Sequence, residues 1–180
     1  MYLRLFTNIF FIILISIFQI AFISALPAWF NNINFLILIL IFILSFKGFL
    51  YGFWWAFGTG LILEIYSFFP FGIHIFSLMF AIMVANFLLI NFLTNRSLYS
   101  YLVISLSAIF VYEFLFYFLN LFISYFNNIN FFFNFNKNFI LDKFSVFLIN
   151  AFVMVILFYL VNFISKNFQP VFLIRSSVKK

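Results

Sequence analysis

Three ionisable side chains lie inside long apolar stretches of this 180-residue chain: Glu64, His74 and Glu113. Such groups are costly at membrane depth and usually mark function, often with a specific partner group. Two carboxyls and an imidazole can move protons, hold a polar ligand, contact a partner protein or fix helices against one another. Catalysis fits less well. One histidine and no cysteine cannot assemble the usual metal clusters. The G-x-S-x-G elbow and the phosphate-binding P-loop are both missing. Intramembrane acid proteolysis needs two aspartates sharing a proton, and the sole aspartate, Asp142, reads as a loop residue. The chain is therefore expected to be no enzyme, with no metal and no cofactor. Helix-orienting pairing, partner contact and a small-molecule or proton site all stay open for the three residues.

The elements that position them follow from composition. The chain is 68% hydrophobic and only 7% charged, with a mean hydropathy of +1.29. A soluble domain carries about 25% charged residues, so soluble and disordered readings both fall. Six apolar spans are expected, at roughly 5–25, 33–46, 48–68, 72–94, 98–123 and 144–164, each near the length of a membrane crossing. The second is short and either continues past Lys47 or crosses thinned bilayer. None shows the alternation of a barrel strand. The expected fold is one all-α polytopic membrane domain over residues 1–180. The 37 phenylalanines, with abundant Ile and Asn, reflect A/T-rich codons more simply than binding platforms.

Basic residues sit at the ends of the apolar runs, which suits topology signals rather than nucleic-acid binding. One set of alternating connections holds seven Lys and Arg (Arg4, Lys47, Arg96 and a tail of Lys166, Arg175, Lys179 and Lys180), while the other holds Lys137 and Lys143. Both termini are thus expected in the cytoplasm. The first apolar run, near 20 residues long, exceeds a signal h-region of about 7–15 and reads as an uncleaved helix. In this orientation Glu64 and Glu113 both lie roughly 22–24 Å into a core about 30 Å thick. His74 enters the same outer layer from the other side. The coincidence of depth singles out these three.

Gly48, Gly52, Ala56 and Gly60 recur every four residues and end at Glu64, forming one ridge on a helix. Ser77, Ala81 and Ala85 form a second ridge on the next span. Small residues let membrane helices approach closely, so these ridges are expected to pack the third and fourth spans together. Between them Pro70-Phe71-Gly72 punctuates a tight turn. Asn86, Asn120, Asn150 and Asn162 are expected to bond between helices, at around 0.6–2 kcal/mol each.

Gly58-Thr59-Gly60-Leu61-Ile62-Leu63-Glu64-Ile65, followed by Pro70-Phe71-Gly72-Ile73-His74 and an apolar fourth span ending near Arg96, resembles the rod-shape-determining MreD family of bacteria. That family typically has a glycine-rich helix ending in Gly-Leu-x-x-Asp, then a Pro-x-Gly-like turn and another apolar helix. Glu64 stands here where Asp is usual. The resemblance covers about a quarter of the chain, residues 52 to 93. It implies a non-enzymatic, multi-pass protein of the bacterial inner membrane that supports lateral peptidoglycan synthesis and cell shape. The implied partners are a bitopic MreC-like protein, an MreB-like filament protein, and synthases of the RodA and penicillin-binding types. Glu64, Pro70, Gly72, His74 and Glu113 would then form the partner-contact layer, with Glu64→Gln tolerated if the residue hydrogen-bonds. The alternative is a substrate-binding subunit of an energy-coupling-factor vitamin transporter, also of six spans, in which Glu64, His74 and Glu113 would face a vitamin.

Overall fold

The computed structural model describes residues 2–23, 25–27, 32–67, 69–93, 97–126 and 137–167. The Asn-rich loop at 127–136, Asn31, Arg96 and the tail beyond Asn167 lie outside the described residues. Six helices run in order, with no strand among the described residues. They are α1 (Tyr2–Ile17, continuing into a π-helical turn at Phe18–Ile23), α2 (Phe35–Lys47), α3 (Phe49–Tyr66), α4 (Ile73–Asn91), α5 (Leu98–Phe126) and α6 (Lys137–Asn167). Lipid offers no hydrogen bonds, so apolar runs of this kind satisfy their backbone as helices. Four stretches are long and apolar enough to cross a membrane: Phe6–Ile23, Ile73–Asn91, Leu98–Phe126 and Lys143–Ile164. The chain is an all-α membrane protein.

The 13-residue α2 is the centre of the bundle, and it stops at Lys47 rather than continuing past it. Its sequence is apolar on every side, which favours burial within protein. Ile37, Leu38, Leu40 and Ile41 are sealed from solvent, and α2 touches α3, α4, α5 and α6. Near its other end Ser45 Oγ and Tyr101 Oη share a hydrogen bond of 2.6 Å. By contrast α1 packs chiefly on α3.

The expected ridge divides between two neighbours. A Cβ at Gly52 would meet Leu44 of α2, with Cα at 3.4 Å, whereas one at Gly60 would stand 2.9 Å from Ile75 Cα of α4. The reason is position: α3 packs against both α2 and α4, so a face that drifts along its length meets first one and then the other. Gly48 is not part of the packing at all, since a Cβ there would meet nothing within 4 Å. Gly48 instead makes the one-residue turn between α2 and α3 at φ +91°, a conformation costly for side chains. Its N–H donates to Leu44 O and its carbonyl accepts from the Gly52 N–H. Ala56, Ser77, Ala81 and Ala85 are fully buried, as close helix contact requires.

The last helix begins at Lys137, well before the expected 144, so Asp142 and Lys143 are helical rather than loop residues. Lys143 can stay within the helix because its charge is met by a carboxylate on α5.

Candidate functional site

Glu64 ends the last turn of α3, and only 4% of it is exposed. Its Oε1 accepts the Gly72 N–H at 2.6 Å, and its Oε2 accepts the N–H of His74 at 3.0 Å and of Ile75 at 3.3 Å. The first N–H groups of a helix have no partner within the helix, and its N-terminus favours a negative group. Gly72, the residue flanking α4, has no side chain to cap with and sits at φ +106°. Glu64 supplies the cap from the preceding helix. Gly60, one turn earlier on the same face, lets α4 come close enough for this reach. Ser67 closes the other side of the turn, its N–H and Oγ both donating to Glu64 O. Pro70 and Phe71 protrude, Phe71 being 74% exposed.

His74 gives its backbone to Glu64 and its ring to α5. Its Nδ1 lies 2.9 Å from Tyr112 Oη, and Phe69 and Phe116 flank the imidazole. Glu113, the next residue on α5, faces elsewhere. Its Oε2 accepts from Lys143 Nζ of α6 at 2.6 Å, with Asn34 Nδ2 3.5 Å from Oε1. The Lys143 ammonium also stands 4.4 Å from the Tyr117 ring centroid, at cation–π range.

Asn150, fully buried on α6, ties that helix to the start of α2. Its Oδ1 accepts the Asn34 N–H at 2.8 Å, and its Nδ2 donates to Asn32 O and Val146 O. Of the four asparagines expected to bridge helices, Asn150 bridges to the start of α2. Asn120 donates to Phe116 O in its own helix, and Asn162 is exposed.

The three residues expected at matching depth sit at one level of the bundle but form two clusters, Glu64–His74–Tyr112 and Asn34–Glu113–Lys143, joined through the α5 backbone. Gln19, Asn34, Tyr112 and Lys143 complete this level, and sequence reasoning assigned them no site role. A signal existed for one of them: Lys143, Val146 and Asn150 share a face at helical spacing. No group of three metal-ligating side chains occurs among the described residues. Beside the first cluster lies a cleft of about 250 Å³, walled by all of α1 to α5 and including His74 and Tyr112 but neither Glu64 nor Glu113.

These observations define a class, a polytopic helical membrane protein whose buried polar groups join helix ends. Comparison with protein-family models, with curated proteins and with solved structures finds no match.

Proposed function

We propose that the chain is a non-enzymatic membrane component of the bacterial cell-elongation complex, acting in the plasma membrane through a bitopic MreC-like partner. The observation that carries this reading is the unit built by Glu64, the Pro70–Gly72 turn and the start of α4. These residues carry the resemblance to the MreD family, and they act together as one capped turn. Both carboxylates are engaged by groups of this chain, which favours a scaffold over an enzyme or an acid-lined substrate site. The turn also presents Pro70 and Phe71 outward, and on the expected topology these face the extracytoplasmic side, where a bitopic partner would contact them.

Co-expression with the MreC-like protein of the same genome tests the proposal. The partner should co-purify with the unaltered chain and be largely lost with Phe71→Asp at equal expression. In the cysteine-free background, Phe71→Cys should react with an impermeant maleimide added outside intact cells, and Ser177→Cys should not. Absence of the partner from the purified chain, or the reverse labelling pattern, overturns the reading.

A further inference from the structure

The cleft beside His74 has the features of a ligand site for which the elongation reading has no use. Its volume of about 250 Å³ exceeds the roughly 150 Å³ that suffices for benzene in an apolar protein cavity. There is room for a two-ring molecule. The surface it exposes is mostly apolar, with Leu63 and Leu78 among its walls. No charged side chain lines it, since Glu64 and Glu113 are turned to other partners. An ion would lose its hydration there without a counter-charge, so the cleft selects an uncharged ligand.

The polar atoms at its wall narrow the class further. His74 engages Tyr112 through Nδ1, and its second ring nitrogen has no partner among the described residues. Asn34 donates through its backbone and Nδ2, while its Oδ1 likewise has none. Gln19 donates Nε2 to Ile33 O at 2.9 Å, leaving Oε1 buried without a partner. The Asn34 amide oxygen, without a donor and not sealed from solvent, suits a ligand carrying N–H or O–H groups. Gln19 is held in the cleft by the π-helical turn Phe18–Ile23, a distortion that recurs at functional sites. Small-molecule sites typically show this combination of apolar walls and a few convergent polar groups.

We propose that this cleft binds a small uncharged, largely apolar molecule through an N–H or O–H donor, with His74 and Asn34 reading its polar edge. The site is independent of partner binding, so loss of MreC-like capture with ligand binding intact would fail one proposal and leave the other standing.

Indole and benzofuran serve as probes, being matched in shape but with only indole carrying a donor. Equilibrium dialysis against the full chain in detergent, corrected by empty micelles, should show saturable uptake of one indole per chain. Benzofuran should bind about tenfold more weakly, the ratio expected for one hydrogen bond to a buried acceptor. Leu63→Phe, which fills the cleft, should abolish indole uptake, and His74→Phe should narrow the preference for indole. Non-saturable uptake, equal affinity for the two probes, or undiminished binding in a folded Leu63→Phe chain would overturn the proposal. The contrast between probes is read on the unaltered chain, so an unfolded variant does not weaken the test.

Discussion

Glu64 and His74 are joined through the main chain rather than through their side chains. The Glu64 carboxylate accepts the His74 N–H at 3.0 Å, while the imidazole engages Tyr112. The acid is therefore a cap on the next helix, and its removal is felt as a loss of fold stability before any loss of chemistry.

Glu64→Ala should lower the thermal stability of the purified chain by about 2 kcal/mol or more, because three backbone donors lose their acceptor. Acetate should restore part of the loss, since the anion and the shortened side chain together replace what was removed, and equimolar chloride should not. His74→Ala retains the backbone donor and should cost less. Both Glu64 oxygens accept bonds, so Glu64→Gln should also destabilise, contrary to the tolerance expected from sequence. Melting curves identical for Glu64→Ala and the parent would refute the capping role.

Alanine substitutions at four glycines should rank by what the new methyl group meets. Gly60→Ala should be worst, at about 1–3 kcal/mol, because the obstacle is the α4 backbone at 2.9 Å. Gly52→Ala should follow, with Leu44 Cα at 3.4 Å. Gly48→Ala has space but a positive φ, at about 1–2 kcal/mol. Gly58→Ala should be mildest, since it meets only the side chain of Ile12. Detergent melting temperatures measure the order, and equal effects at Gly58 and Gly60 would contradict it.

Lys143 and Glu113 should show a coupling of at least about 1 kcal/mol in a double-mutant cycle. Lys143→Met takes the counter-charge from the carboxylate and Glu113→Gln takes it from the ammonium, whereas the double variant leaves neither charge in place. The double variant should consequently be more stable than Lys143→Met alone. Strict additivity of the two single losses would show that the 2.6 Å contact contributes nothing.

Much of this arrangement was legible in the residues. The apolar runs place the six helices to within a few positions at most ends. The partners of Glu64 were not legible, because its donors are backbone N–H groups eight to eleven residues ahead and such groups carry no residue signature. The start of α6 was missed because Asp142 and Lys143 look like loop punctuation until Glu113 is placed opposite. The shortness of α2 suggested either continuation past Lys47 or thinned bilayer; Gly48 ends the helix, and its uniformly apolar surface already pointed to a helix sheathed by protein. Gly52 and Gly60 share one face on a helical projection, and only the flanking helices reveal that they serve different neighbours.

The clamp between Asn150 and the start of α2 joins residues 116 positions apart, and this bears on how the protein is made. During synthesis α2 enters the translocon long before α6 exists. A 13-residue helix is short for stable insertion on its own. The Asn34 N–H and the Asn32 carbonyl await their acceptor and donor throughout that interval. Arrival of the final helix therefore completes the heart of the bundle rather than merely adding to its edge. Nascent chains halted before residue 150 should present α2 as an unfinished segment, recognisable to quality-control proteases that spare the full-length protein.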